Sequence, residues 1–296
     1  MIKRKKRTRL IILSGFLGSG KTTLLCHIIN NTNQKIAVLM NEFGKIGIDT
    51  ETIQKENIAV KELLEGCVCC SLQGEFEAAV TEIITLYHPE MIIVETTGIA
   101  EADNLVLGID ESIKEVILEA VITVVDADAL VRFPAMSGNL RIQIESADIL
   151  ILNKIDLVKA SQVKELMLAL QKVNSRAPII ITSYAQVDLD VLFSTEVGIH
   201  RGQHTISKHN FHHSFETFTL DSPDFSKRKL ISCLQKLPAS VYRLKGHVKS
   251  GAKFYLLNYV GGRFSFEEEK GTLKLVFIGN KINVDKVKIK KLFRNI

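Results

Sequence analysis

The chain has 296 residues, 46% of them hydrophobic and 24% charged, and 38 Lys and Arg against 33 Asp and Glu give it a net charge of +5. That composition is globular and can bury a substantial core. No apolar run is long enough to span a bilayer and the first residues have no signal-peptide core, so a cytoplasmic protein without a membrane role is expected. Lys3, Arg4, Lys5, Lys6, Arg7 and Arg9 place six positive charges ahead of the first strand. The remainder is therefore close to neutral, the run reads as a solvated terminus, and no basic face suggests nucleic acid.

In chain order, short apolar runs read as strands at Leu10–Ser14, Ile36–Met40, Met91–Glu95, Val121–Asp126, Ile149–Asn153 and Ile179–Thr182. Their Ile, Leu and Val carry no polar alternation, as in parallel strands buried on both faces. Helical stretches such as Lys21–Ile29, Gln73–Leu86 and Ser161–Val173 fall between them. This alternation predicts an α/β fold, a parallel sheet with helices on both faces over residues 1–197, and ligands at the carboxyl ends of its strands. Residues 198–214 form a polar linker holding His204, His209, His212 and His213. A smaller α+β domain is expected over 215–296, with strands at Phe215–Leu220, Tyr255–Val260, Arg263–Phe266 and Leu273–Ile278 and helices at Phe225–Leu237 and Val284–Phe293.

Gly15-Phe16-Leu17-Gly18-Ser19-Gly20-Lys21-Thr22 matches G-x-x-x-x-G-K-[ST] between a strand and a helix. In such a P-loop successive backbone N–H groups point at phosphate oxygens, at the positive end of the helix dipole. Gly15, Gly18, Ser19, Gly20 and Thr23 belong to the nucleotide cradle. Lys21 is expected to reach the β- and γ-phosphates, and Thr22 to hold Mg²⁺. Asn153-Lys154-Ile155-Asp156 follows a strand and reads as a guanine selector. Asp156 can accept two hydrogen bonds from guanine that adenine cannot offer, and leaving a buried carboxylate unpaired would reject ATP. The nucleotide is therefore read as GTP.

Glu95-Thr96-Thr97-Gly98 ends an apolar strand. A carboxylate at Glu95 suits a Mg²⁺ ligand, and the Gly98 N–H could sense the γ-phosphate. Asp126, at a strand end near Glu95, is read as a supporting residue, and Glu42 and Asp49, in the loop after Met40, are further Mg²⁺ or metal-site candidates. Cys67-Val68-Cys69-Cys70 places three of the five cysteines within four positions. Three thiolates with no obvious fourth protein ligand favour a soft cation such as Zn²⁺, with Co²⁺ or Cu⁺ also fitting, and a redox pair is the rival. Cys26 and Cys233 stand alone on helical faces and read as packing residues.

The ordered set G-F-L-G-S-G-K-T, N-E-F-G, C-x-C-C, E-T-T-G and N-K-I-D resembles the CobW-type GTPases, metallochaperones related to the nickel-delivery GTPases of the HypB and UreG type. The resemblance runs through the histidine-containing linker into Arg243-Leu244-Lys245-Gly246 and Val276-Phe277-Ile278-Gly279. It departs from the usual pattern at Lys45, at Glu101-Ala102 and in the short C-terminal domain. The resemblance implies slow hydrolysis of GTP to GDP and phosphate, with Lys21 and Glu95 as catalytic groups. That hydrolysis would be coupled to passing zinc, or in some members cobalt, from Cys67, Cys69 and Cys70 to an apo-metalloprotein client. A metal-sensing regulator or store, or a small-molecule P-loop kinase, is the alternative, and a homodimer is open. The coupled mechanism expects the Glu42–Asp49 loop and the Cys67–Cys70 turn to lie on opposite sides of one helical connection.

Overall fold

Five-residue runs such as Ile-Ala-Val-Leu-Met and Ile-Leu-Ile-Leu-Asn bury every residue only if both strand faces are covered, and the computed structural model bears this out. It describes residues 7–40, 58–62, 72–96, 113–193, 215–221, 225–280 and 282–294. The first region is built from β1 (Thr8–Gly15), α1 (Lys21–Asn31), β2 (Ile36–Met40), β3 (Ile58–Glu62), α2 (Leu72–Tyr87), β4 (Met91–Glu95) and β5 (Val116–Asp126). It continues with α3 (Ala127–Arg132), α4 (Gly138–Ser146), β6 (Ile149–Asn153), α5 (Ala160–Val173), β7 (Ile179–Ile181) and α6 (Leu189–Phe193). The seven strands form one parallel sheet in the order β3-β2-β4-β1-β5-β6-β7.

Alternation along each strand divides the core. Ile11, Leu13, Val38, Met40 and Ile93 face α1, which contributes Leu24, Leu25, Ile28 and Ile29. Leu10, Ile12, Ala37, Leu39 and Ile92 face α2 with its Phe76, Val80 and Ile83. Each Å² of apolar surface buried in these two layers contributes about 25 cal/mol to stability. Between Leu10 and Ile11 the β1–β5 register slips, so Glu119 is an extra residue on β5. Such a bulge re-aims a side chain.

The second region has β8 (Phe215–Asp221), α7 (Lys227–Leu234), β9 (Val241–Ser250), β10 (Lys253–Val260), β11 (Arg263–Glu268), β12 (Lys274–Asn280) and α8 (Ile282–Arg294). Its antiparallel sheet has the order β11-β10-β9-β12-β8. The two helices cover one face through Leu230, Leu234, Ile289 and Phe293, against Leu244, Leu257, Leu275 and Phe277. The α+β expectation holds, with one strand more than the sequence suggested. The central strand β9 reads Val-Tyr-Arg-Leu-Lys-Gly-His-Val-Lys-Ser, and its polar residues hide it from a search for apolar runs.

Near the amino ends of the parallel strands the two regions lock together. Tyr242 and Val260 join the core layer of the first region. The bulged Glu119 receives Arg243 from β9 and lies 3.4 Å from Arg9. Arg243 also donates to the carbonyls of Leu192 and Phe193, and Arg9 donates to Phe193 O at 3.2 Å. The two arginines thus satisfy carbonyls left open at the end of α6. Burial, and then the neighbouring Arg9, push the Arg243 pKa down to about 9, still above neutrality. A second link joins Arg263 to Asp148 at 2.6 Å, while Asp148 also accepts from Val121 N at 2.8 Å. Gly261 (φ 52°) turns against the Asp148 carbonyl, where a Cβ would collide.

Candidate nucleotide site

The carboxyl ends of β1, β4, β5, β6 and β7 carry the polar residues that the sequence singled out. Gly15 ends β1 with φ 140°, where a Cβ would strike the Val124 carbonyl and Ser19 Oγ. Gly20 caps α1 at φ 108°, and a Cβ there would strike the Asn153 amide. Glycine is required at both positions by conformation and by close approach. Lys21 folds back over the loop, its Nζ donating to Gly15 O at 2.9 Å and to Phe16 O at 3.3 Å. Burial pushes the Lys21 pKa down, while Glu95 acts in the other direction. The ammonium is thus held inside the loop by two backbone carbonyls.

Thr22, one residue on, donates through Oγ1 to Glu95 Oε1 at 3.1 Å. Glu95 is buried at the end of β4, and burial pushes its carboxyl pKa up, opposed by the Thr22 hydrogen bond and by Lys21. A hydroxyl and a carboxylate in contact beside an α1 N-terminus form a hard oxygen pair that suits Mg²⁺. Ser19 Oγ is buried and has no hydrogen-bond partner among the described residues. An orphaned hydroxyl inside the loop fits a site that acquires its partner from a phosphate.

Asn153 binds the site together rather than facing solvent. Its Nδ2 donates to Ser19 O at 2.9 Å, and its Oδ1 accepts from Ala185 N at 2.9 Å. One side chain thereby fixes the P-loop, the end of β6 and the turn after β7. Lys154 adopts φ 61° and its Nζ reaches Asp126 Oδ2 at 2.6 Å. Asp126 also accepts from Ala129 N at 3.0 Å and so caps α3. Asp126 thereby joins the Lys154 side chain to the start of α3. Asp156 differs from expectation, because it is exposed on the short turn Ile155–Leu157 instead of buried. An unpaired carboxylate there is penalised only once a base lies over it.

One contributor went unread in the sequence. Thr182 O accepts from Ile155 N at 3.3 Å, and Tyr184 and Ala185 follow with φ 56° and 54°. Its only signal was a Thr-Ser pair at a strand's carboxyl end. Glu42, Asp49, Cys67, Cys69, Cys70, Thr97, Gly98 and the linker histidines lie outside the described residues. Strand β3, at residues 58–62, falls between Asp49 and Cys67. Their connection therefore contains a sheet strand and is not purely helical, because Ile-Ala-Val pairs with β2 at the sheet edge. Cys233 is buried in the second core and donates to Leu292 O, while Cys26 is half-buried on α1. Burial pushes both thiols up, in keeping with packing roles.

Comparison with known proteins agrees with this layout. Residues 9–181 match the family model described as CobW/HypB/UreG, nucleotide-binding domain, and residues 215–296 match the cobalamin synthesis protein CobW C-terminal domain. The chain is 32% identical over 197 residues to the zinc chaperone YjiA of Escherichia coli, covering 62% of this chain and 60% of that protein. It is 38% identical over 192 residues to zinc-regulated GTPase metalloprotein activator 1 of Schizosaccharomyces pombe, covering 60% of this chain and 46% of that protein. The chain thus spans about half the length of these two curated relatives. A crystal structure of a zinc-bound triple mutant of YjiA GTPase shares the fold, with TM-score 0.50, 23% identity and coverage of 98% of this chain and 99% of that one.

Proposed function

Since the chain belongs to the CobW/HypB/UreG family, we propose that it is a slow GTPase that binds zinc and passes it to an apo-metalloprotein client. The observation that carries the nucleotide half is the bridge made by Asn153, which joins Ser19 of the P-loop to Ala185 beside the Asn153–Asp156 turn. A phosphate grip and a base-reading turn fixed by one side chain suit a whole guanine nucleotide better than a free phosphate. Gly18, Ser19 and Gly20 present the loop, Lys21 compensates β- and γ-phosphate charge, Thr23 lies in the first turn of the helix beneath them, and Asp156 reads the base edge. Mg²⁺ would be held by Thr22 and Glu95, where its charge offsets that developing on the phosphates. Glu42 and Asp49 are further candidate ligands, and Gly98 a candidate γ-phosphate contact.

The metal half rests on chemistry and kinship. Cys67, Cys69 and Cys70 offer three soft donors, which suit Zn²⁺ and admit Co²⁺. The relatives of similar sequence carry the names zinc chaperone and zinc-regulated GTPase metalloprotein activator. A cytoplasmic setting fits the reduced thiols, and no helix among the described residues is long and apolar enough to cross a membrane. Release of phosphate from GTP should alter zinc affinity, and the coupling is reciprocal: GTP and zinc must change each other's affinity by the same factor. A tenfold coupling requires only about 1.4 kcal/mol.

The test is a titration of a non-hydrolysable GTP analogue with and without Zn²⁺, followed by zinc transfer to candidate apo-enzymes with GTP or GDP. Equal affinities and nucleotide-independent transfer would overturn the coupled reading. Replacing the three cysteines by serine should abolish zinc binding and leave GTP binding intact.

A further inference from the structure

The net charge hides a division. Residues 215–296 hold 17 Lys and Arg against 7 Asp and Glu, whereas residues 1–197 hold 19 against 26. The near-neutral body expected from the total is therefore a basic domain joined to an acidic one. The excess gathers on the helical layer of the second domain. Residues 225–238 and 282–294, which contain α7 and α8, carry seven lysines and two arginines against the single acid Asp285. Asp285 is already engaged, accepting from Ser240 Oγ at 2.6 Å.

Helix α8 buries Ile282, Ile289 and Phe293 against the sheet. The opposite stripe, Val284, Val287, Lys288, Lys291 and Arg294, faces outward with the spacing of one helical face. Val284 is 81% and Val287 79% exposed, two adjacent aliphatic side chains standing in water. Lys288, Lys291 and Arg294 have no acidic partner among the described residues. The stripe is about 15 Å long at 1.5 Å per residue, enough for two to three turns of a second helix.

We propose that this stripe docks an acidic amphipathic helix of a partner protein, with its apolar residues on Val284 and Val287 and its carboxylates on Lys288, Lys291 and Arg294. Two exposed aliphatic side chains continued by a run of charge combine the apolar and polar parts of a protein interface on one helix face. Phosphate would leave both valines uncovered. The exposed stripe has no aromatic side chain on which a base could stack, and lysine dominates where bidentate phosphate recognition would favour arginine. A membrane-lying helix would need its wide apolar face free, and that face is committed to the core. The surface belongs to the second domain and its use does not depend on the nucleotide reading.

The probe is a synthetic helix of about five turns with Leu and Val on one face and Glu on the other. It is compared, at roughly 0.05 M salt, with poly-glutamate, single-stranded RNA and vesicles containing phosphatidylserine. The full chain should bind the amphipathic helix about tenfold more tightly than poly-glutamate. Lys288→Gln with Lys291→Gln, and separately Val287→Ser, should each weaken it several-fold, with melting temperature and GTP binding unchanged. Raising the salt should weaken the wild type more than the Lys288→Gln, Lys291→Gln variant. Tighter binding of RNA or of vesicles overturns the proposal in favour of those partners, and no binding to the helix overturns it outright. Loss of self-association in the same variants, measured by sedimentation, would assign the stripe to a second copy and overturn it as well.

Discussion

At the carboxyl end of the parallel sheet the Lys154 and Asp126 side chains keep 33% and 16% of their surface exposed. Toward the amino end Arg243 and Glu119 keep 1% and 2%. The same ion-pair chemistry therefore serves two purposes. Near water it holds polar groups in place at little cost, so that they can exchange partners when a ligand arrives. Away from water the desolvation penalty is large, and the charges persist because each is bonded on several sides. Arg243 meets one carboxylate and two helix-end carbonyls, and fixes how the second domain sits on the first. β5 spans both environments, with the bulged Glu119 near its start and Asp126 at its end. One strand thus serves both the domain junction and the candidate nucleotide site.

The comparison breaks most visibly at the buried node. Arg243→Ala leaves Glu119 buried without this partner and should cost about 3–5 kcal/mol in urea unfolding. GTP affinity, measured at temperatures where the variant is still folded, should change little. Pairing Arg243→Met with Glu119→Leu should recover part of the loss, because no buried carboxylate is stranded and Arg9 keeps Phe193 O and Gln34 as partners. If the double variant is as unstable as the single one, the node is held by geometry other than charge.

The opposite pattern is expected at the P-loop. Lys21→Ala removes a charged donor from the phosphates and should weaken GTP binding about a hundredfold, equivalent to roughly 2.7 kcal/mol. Stability without nucleotide should hardly fall. Asp156→Ala should lower GTP affinity by about tenfold while leaving ATP affinity, already weak, almost unchanged. Competition titrations of the two nucleotides measure the ratio, and an unchanged ratio would remove Asp156 from base selection.

Glu95 gives the comparison a pH axis. Burial raises its pKa above the ordinary carboxylate value. Between those two values the folded ligand-free protein binds a proton that the unfolded chain has released, so its stability falls as pH rises through that window. Mg²⁺ needs the ionised form, so Mg²⁺-dependent GTP affinity should fall as pH is lowered through the same window. Glu95→Gln should lower that affinity at neutral pH and flatten the profile. A wild-type profile flat down to the ordinary carboxylate range would show that Glu95 does not carry the metal.

Much of this arrangement was legible in the chain because parallel strands buried on both faces announce themselves as unbroken apolar runs. Gly15, Glu95 and Asn153 then fall at strand ends, and Lys21 at the start of a helix, by counting alone. β9 escaped because one face of an antiparallel strand is free to be polar, and β3 because its three apolar residues end in Lys61 and Glu62. The domain junction was illegible for a different reason. Glu119, Asp148, Arg243 and Arg263 are ordinary charged residues in sequence, and only the bulge on β5 and the approach of a second sheet make them partners. Lys154 and Asp126 were visible separately, but their pairing follows from β5 and β6 lying side by side.

That pairing allows the smallest and most selective of the tests. Asp126→Asn keeps a side-chain oxygen that can still accept from Ala129 N, and asparagine is as good a helix N-cap as aspartate. Helix α3 and the overall fold should therefore survive, with a melting temperature within a degree or two of wild type. What is lost is the carboxylate that holds the Lys154 ammonium, a pair worth under about 1 kcal/mol at this exposure. The turn that carries Asp156 is then held less firmly, and GTP affinity should fall two- to fivefold with phosphate contacts untouched. Tripolyphosphate binding should be the same in both proteins, since it needs the P-loop alone. A parallel loss of tripolyphosphate affinity would mean that Asp126 acts on the loop through the strand, and not on the Asn153–Asp156 turn through Lys154.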